Sequence, residues 1–200
     1  MAWATDRVAG DRHAFRSPGG ATETCVALAK MPGGVYSAED QAQERALCAL
    51  DIYAARVAVC PKLKSTSPGT FVYELTRGPF AKDQAGFEAK VCPRGDIVVP
   101  ESDGPPAGFK VTMNAKGTSG TLATASLLYY HCARYLDASL HVPVIVYRSS
   151  DRHVHEQRVT RRGLELSAGK TSLATNHAAW QALDAAEQDP KTFPEADELF

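Results

Sequence analysis

Residues 118–147, TSGTLATASLLYYHCARYLDASLHVPVIVY, decide the fold class of this chain. In their first part, apolar residues recur at helical spacing, and Thr118 or Ser119 can cap the helix that this pattern predicts. Val142–Tyr147 then predicts the strongest strand, with Pro143 near its start, where proline is tolerated. The helical stripe consists of Leu122, Ala125, Leu128, Cys132 and Tyr135. A long helix followed at once by an apolar strand indicates a fold that mixes helices and sheet.

Shorter stretches earlier in the chain alternate apolar and polar residues, which is the pattern of half-buried strands. Residues 71–75, 87–91 and 109–113 each alternate, and 57–60 is a short apolar run that Pro61 stops. Glycine and proline separate these runs, so neighbouring strands can return beside each other. The sequence therefore predicts several strands in mostly antiparallel order.

Three further segments predict helices. Ser37 is followed three residues later by Asp40, a variant of the capping box, and apolar residues continue at helical spacing to Leu50. Ser149 or Ser150 can cap a polar helix that runs through Arg158. A last helix is predicted from Asn176 to the residue before Pro190.

These elements predict an α+β fold in which a small, mostly antiparallel sheet packs on one long helix, with additional C-terminal helices. Residues 1–30 carry several charges and then a Ser-Pro-Gly-Gly linker, so we expect a leader or disordered tail outside the fold. Residues 31–200 are expected to form a single α+β domain. Because residues 194–198 resemble the first turn of another helix, this domain could be the N-terminal part of a longer protein.

Composition excludes several classes of protein. The chain has 200 residues, of which 44% are hydrophobic and 22% charged, as in ordinary globular proteins. Its formal net charge of −1 gives no support to nucleic-acid binding. The most apolar stretch, residues 119–136, is interrupted by His131 and Arg134, so we predict no membrane span.

The chain has five cysteines, and any disulfide bonds among them would indicate the cellular compartment. Cys48 and Cys60 are our preferred pair, and Cys60 with Cys92 is the rival pair. Cys132 lies on the apolar face of a predicted helix, so we expect a free thiol in the core. A disulfide would imply an exported protein, periplasmic or secreted, although no signal peptide is visible in the sequence as written.

Basic residues cluster after the predicted strand 142–147. Arg148, Arg152 and Arg158 could bind an anion, because guanidinium groups suit phosphate and carboxylate, but such a run is usually a solvated face. His153 and His155 would share a face on a strand and could then chelate a metal. On the helix that the serine caps favour, they point apart, so we predict no metal site and no cofactor.

Two catalytic signatures are incomplete. Gly169-Lys170-Thr171-Ser172 is similar to the end of a phosphate-binding loop, but five residues rather than four separate Gly163 from Gly169. The segment before it, residues 158–162, is polar rather than a buried strand. No serine–histidine–aspartate or cysteine–histidine set can be assembled from spacing, so we expect no catalytic residues in this chain.

One region resembles the N-terminal lobe of atypical kinases, namely the secretory-pathway casein-kinase-like enzymes and the HipA-like kinases. The resemblance rests on GFKVTM at 108–113, the helix 118–136, and VPVIVY at 142–147. It implies that Lys110 binds phosphate, and that Ser67 and Gly69, in the loop before a strand, cover a nucleotide. The helix presents no acidic partner for the lysine, since Ser126 stands at the nearest matching position. The chain also resembles the front part of larger exported bacterial proteins of unknown function.

We therefore expect an exported, non-enzymatic binding or structural domain. Its partner is open, and one candidate is the C-terminal continuation of its own chain. Two alternatives stay open. One is a kinase-like lobe with vestigial nucleotide binding, and the other is an anion-binding module that uses the three arginines.

Overall fold

The computed structural model describes residues 9–111, 123–136 and 140–189. It contains two small antiparallel sheets and several helices. The α+β class predicted from the sequence is confirmed. The strands are β1 (Gly10–Arg16), β2 (Thr22–Leu28), β3 (Val57–Pro61), β4 (Thr70–Glu74), β5 (Ala107–Phe109) and β6 (Tyr147–Arg148). The α-helices are α1 (Ala38–Ala49), α2 (Gln84–Lys90), α3 (Ala123–Leu136), α4 (Arg152–His155), α5 (Arg161–Ser167) and α6 (Ala174–Gln188). A π-helical segment, Glu156–Thr160, joins α4 to α5.

The first sheet has the strand order β1-β2-β6 and includes residues that we had excluded from the fold. The β1–β2 hairpin pairs from Gly10 with Leu28 to Arg16 with Thr22, and β2 pairs with β6 through Cys25 and Arg148. The prediction that residues 1–30 form a leader or disordered tail is therefore wrong for residues 9–30. Strand β1 is exposed at nearly every position and has little apolar alternation, so its pattern does not differ from that of a tail.

The second sheet, β3-β4-β5, is covered on both faces. One face packs with Trp180 and Leu183 of α6 in one apolar cluster, and the other packs with Phe87 of α2 in a second cluster. The predicted strands at 57–60 and 71–75 are confirmed. The third strand begins and ends earlier than the predicted 109–113, at Ala107–Phe109, and the end of that prediction falls outside the described residues.

Residues 87–91, predicted as a strand, belong to helix α2 and the residue after it. The Asp83 side chain caps this helix by accepting a hydrogen bond from the Gly86 N–H at 2.9 Å. Phe87 is fully buried against the second sheet. Five alternating residues are too few to distinguish a strand from two turns of a half-buried helix, and tertiary packing decides here.

The predicted strand Val142–Tyr147 also differs from the structure. Only Tyr147 and Arg148 pair as β6, while residues 141–146 run without strand pairing. Helix α3 agrees with the predicted helix over residues 123–136, and the proposed caps Thr118 and Ser119 lie outside the described residues. Within residues 9–111, 123–136 and 140–189, none of the helices is long and apolar enough to cross a membrane.

Helix α3 is held against α1 by buried polar contacts. The Arg134 guanidinium donates to both carboxylate oxygens of Asp40, at 2.9 and 2.6 Å. Asp40 also completes the predicted capping box with Ser37 at the start of α1. One turn along each helix, the Tyr130 hydroxyl donates to Glu44 at 2.9 Å. The Arg134 contact lowers the pKa of the Asp40 carboxyl to about 2, so this residue is ionised at neutral pH.

Two disulfides join the elements, Cys25 with Cys48 and Cys60 with Cys92. The preferred pair Cys48–Cys60 is wrong, because Cys48 at the end of α1 faces the hairpin strand β2 that we had left outside the fold. The rival pair Cys60–Cys92 is confirmed and links β3 to the turn after α2. Cys132 is free, as expected, but it is only partly buried and belongs to neither apolar cluster, so its predicted place in the core is wrong.

Removing the first disulfide should destabilise the domain. The bond between Cys25 and Cys48 closes a separation of 23 residues, for which chain entropy gives a stabilisation of about 3 kcal/mol. The double variant Cys25→Ser/Cys48→Ser should lose this amount in urea unfolding, whereas Cys132→Ser should change the free energy of unfolding by less than about 1 kcal/mol. Peptide mapping without reductant should recover Cys25 joined to Cys48. Recovery of a Cys48–Cys60 peptide would contradict the observed pairing.

The Asp40–Arg134 pair should give stability that depends on pH. Because the folded-state pKa is depressed from its usual value near 4 to about 2, the contribution is complete above pH ~4 and is lost as pH falls towards 2. Asp40→Asn should therefore cost about 2 kcal/mol in urea unfolding at neutral pH, and the difference from wild type should shrink across this window. Glu39→Gln, an exposed change on the same helical turn, is the control. A deficit that stays constant down to pH 2 would refute the assignment.

Candidate functional site

A cavity of about 910 Å³ lies beside the second sheet, between β3–β5 and residues 143–150. Its apolar wall includes the core residues Val59, Val72 and Val159. The unpaired segment 143–146 supplies a second apolar wall, and Leu127 of α3 also reaches the cavity. Of the residues that predicted a strong strand at 142–147, those at 143–146 thus line the cavity without pairing, and only Tyr147 pairs in a sheet.

Three cationic residues line this cavity: Lys110, Arg148 and Arg158. Lys110 follows directly after β5, and Val111 beyond it is buried. Burial, together with the neighbouring ammonium group of Lys62, lowers the pKa of Lys110. None of the ion pairs formed within the described ranges includes Lys110.

Arg148 is held by the protein's own acceptors. Its Nη1 donates to the Leu50 carbonyl at 2.6 Å, and its Nη2 lies 3.6 Å from Oε2 of the fully buried Glu23. The guanidinium stacks over the Phe15 ring at 4.6 Å. Because a buried arginine requires a compensating charge, Glu23 explains why Arg148 can line the cavity.

Glu23 makes two further contacts that fix this wall. Its Oε1 accepts the Tyr53 hydroxyl and the Asp151 N–H, the latter at 2.8 Å. Burial and the Glu23 carboxylate raise the pKa of Tyr53, so this phenol stays protonated and donates. The carboxylate therefore joins the hairpin, the segment after α1 and the start of α4.

Arg158 is also engaged within the protein. It donates to the carbonyls of Ile52 and Val57, at 2.5 and 3.2 Å, and to the Glu88 carboxylate at 2.8 Å. Arg152, the third member of the predicted anion-binding set, is buried but does not line the cavity. The structure thus brings Arg148 and Arg158 to one cavity and places Arg152 elsewhere, and none of these three side chains is exposed to solvent.

The two histidines of the possible metal pair separate on α4. His153 is exposed, whereas His155 is buried, lines the cavity and places its Nδ1 2.6 Å from Glu187 Oε1. Helix α4 is capped by Asp151, which accepts the N–H groups of His153 and Val154, rather than by the predicted Ser149 or Ser150. Across the described segments, no group of three or more His, Cys, Asp and Glu side chains could hold a metal ion.

Several lining residues have polar atoms that the protein leaves unsatisfied. Within the described residues, Ser150 Oγ, His155 Nε2 and Arg158 Nε are buried without a hydrogen-bond partner. Arg148 Nε and Nη2 are likewise without one, apart from the longer ion pair with Glu23. Buried polar atoms are usually paired, and five of the nine unpaired buried side-chain atoms in the described residues belong to this lining.

The loop residues of the kinase resemblance lie near Lys110 but outside the cavity lining. The Gly69 carbonyl accepts the Lys62 N–H at 2.7 Å, and Thr70 pairs with Phe109, the residue before Lys110. Ser67 is buried in the same loop. The structure therefore brings Gly69 close to the strand that carries Lys110, without placing Ser67 or Gly69 in the lining.

The segment similar to a phosphate-binding loop has a different role. Gly163 lies within α5, where a Cβ atom would overlap the Trp180 ring, so this glycine permits close packing of α5 on α6. Ser167, on the same helix, accepts from or donates to His177 Nδ1 at 2.9 Å and donates to the Gly163 carbonyl at 2.6 Å. Sequence spacing did not reveal this serine–histidine pair, but the hydroxyl is buried and already donates within its helix.

No protein-family model, curated protein or solved structure matches this chain. The resemblance to a kinase lobe therefore stays a prediction.

The Glu23–Arg148 pair should show strong energetic coupling. Glu23→Gln keeps the side-chain shape but leaves a buried guanidinium without its countercharge, and should lower the free energy of unfolding by about 3 kcal/mol. The double variant Glu23→Gln/Arg148→Met should lose clearly less than the sum of the two single losses in a double-mutant cycle. Glu165→Gln, which breaks the exposed pair with Arg162, is the control and should cost less than about 1 kcal/mol. Additive losses at Glu23 and Arg148 would show that the two residues are not coupled.

Proposed function

We propose that this chain is an exported, non-enzymatic domain that binds an organic ligand in the cavity beside the second sheet. The observation that carries the proposal is the cavity itself, about 910 Å³ with mostly apolar walls and a few polar groups. Ligand sites of proteins typically have this size and this composition. A purely structural domain would have no need of so large an apolar opening next to its core, since interiors are close-packed.

Export is supported by the two disulfides, which persist in oxidising compartments. A periplasmic or secreted location would keep both bonds formed. Because Cys25–Cys48 anchors the hairpin that carries Glu23, an oxidising compartment would also preserve the polar wall of the cavity.

A binding role, rather than catalysis, is favoured by how the polar side chains at the cavity are used. Arg148 and Arg158 donate to backbone carbonyls and to internal carboxylates. His155 contacts Glu187, and no described hydroxyl lies within hydrogen-bond distance of its Nε2. These groups shape and polarise the wall, but they do not form a nucleophile with an adjacent base.

Vestigial nucleotide binding is the second candidate function, and the position of Lys110 on the same cavity favours it. The charges at the cavity argue against this second function. A nucleotide phosphate would meet one half-buried lysine, while Arg148 and Arg158 are already occupied by Glu23 and Glu88. A metal–nucleotide complex also needs acidic ligands, which the described lining offers only at Glu74 and Asp103.

Anilinonaphthalene sulfonate, which fluoresces in apolar sites, should bind the folded protein at one saturable site. Ala107 lines the cavity, so Ala107→Leu should fill part of it, lower the affinity about tenfold or more, and stabilise the fold by up to about 1 kcal/mol. Ala178→Leu adds the same volume on the exposed side of α6 and should leave the affinity unchanged. Equal binding by all three proteins would exclude the cavity as the site.

Thermal melts with Mn-ATP test the second candidate. A ligand at 100 times its dissociation constant stabilises a real site by about 2.7 kcal/mol. We expect no shift from Mn-ATP in wild type. A shift that is lost in Lys110→Ala but kept in Lys170→Ala, an exposed lysine outside the cavity, would replace our proposal with nucleotide binding.

A further inference from the structure

We propose that the ligand of this cavity is an amphiphile with an apolar body and one anionic group, and that Lys110 binds the anionic group. The inference rests on the proposed function, because it assumes that the cavity is a ligand site. It adds the chemical class of the ligand and the residue that selects it.

The charges at the cavity determine which side chain is left for a ligand. Arg148 faces Glu23 and Arg158 contacts Glu88, so both guanidinium groups are compensated within the protein. Lys110 has no such partner within the described residues. The ammonium group of Lys62 repels it and, with burial, lowers the pKa of Lys110. Among the cationic side chains of the lining, Lys110 is therefore the one whose charge the protein does not compensate, and a negative group on the ligand would neutralise it.

The acidic residues of the lining lie at the opposite end of β4. Glu74 ends that strand and pairs with Val57, whereas Thr70 begins it and pairs with Phe109, next to Lys110. Four residues of strand separate the two ends by about 13 Å. Asp103 is engaged by Thr76 and Arg77 beyond the same acidic end. This charge separation gives the cavity a polarity, with a cationic end where an anionic group is stabilised.

Burial makes the lysine responsive to an anion. Partial desolvation and Lys62 both lower the pKa of Lys110, which means that its charged form is disfavoured in the free protein. An anionic group within contact distance reverses this, because it replaces the lost hydration with an ion pair. A lysine is a compact point charge without the paired geometry of arginine, so carboxylate, sulfate and a phosphate monoester share the required chemistry.

The apolar walls define the remainder of the ligand. Val59 and Val72 line one side, and residues 144–146 line the other. Apolar surface transferred from water to this lining stabilises the complex in proportion to its area. A small inorganic anion would leave that surface unused, so we infer a ligand that has both parts.

Calorimetric titration with decanoate, decanol and decyltrimethylammonium isolates the contribution of the anionic group to affinity, because the three probes share a ten-carbon alkyl chain and differ in the head group. Decanoate should bind about tenfold more tightly than decanol, and the ammonium probe should bind more weakly than both. Lys110→Met, which keeps the length of the side chain, should bring decanoate down to the affinity of decanol and leave decanol unchanged. Lys170→Met is the matched control and should change neither affinity.

Two results would overturn the inference while leaving the cavity as a ligand site: equal affinity for decanoate and decanol, or an unchanged decanoate affinity in Lys110→Met. Inorganic phosphate that binds as tightly as decanoate would also overturn it, because the apolar body would then contribute nothing. Failure of the proposed function is distinct. In that case neither decanol nor anilinonaphthalene sulfonate would bind in a manner that Ala107→Leu weakens.

Discussion

The buried carboxylate of Glu23 is the interaction on which the arrangement of this domain depends. It accepts hydrogen bonds from Tyr53 and from the Asp151 backbone, and it faces the guanidinium of Arg148. A charge that is only 1% exposed is costly unless such partners surround it. The three partners come from separate parts of the chain, so the carboxylate fixes where the hairpin, the segment after α1 and the start of α4 meet. The cavity wall that contains Arg148 exists only in this arrangement.

Local patterns predicted what local physics determines. The capping box of Ser37 and Asp40, the strands at 57–60 and 71–75, and the helical part of 123–136 all follow from periodicity and capping. The hairpin β1–β2 could not be predicted in this way, because β1 is almost wholly exposed and its pairing comes from the partner strand. Once residues 9–30 were left out, the correct partner of Cys48 was also lost, and the choice of Cys48–Cys60 followed from that omission.

The errors in the candidate site have one cause, which is that burial of charge is a long-range property. Arg148, Arg152 and Arg158 looked like a solvated basic run, yet all three are buried or nearly so, and two of them contact carboxylates that are 125 and 70 residues away in sequence. Nothing in the neighbourhood of Glu23 or Glu88 signals that these residues are countercharges. The sequence did single out Lys110, but through a resemblance to kinases whose helix carries an acidic partner for this lysine, whereas this chain has Ser126 at the nearest matching position.

That missing partner gives Lys110 its significance. The protein pairs the other two cationic side chains of the cavity, Arg148 and Arg158, with its own carboxylates. Lys110 instead lies near a second lysine, Lys62, and has no countercharge within the described residues. The compensated arginines can position and polarise the wall, but they have little capacity to distinguish one ligand charge from another, because their countercharges do not leave. Under the proposed function, selectivity therefore comes from Lys110, because its charge is the one whose environment changes when a ligand enters.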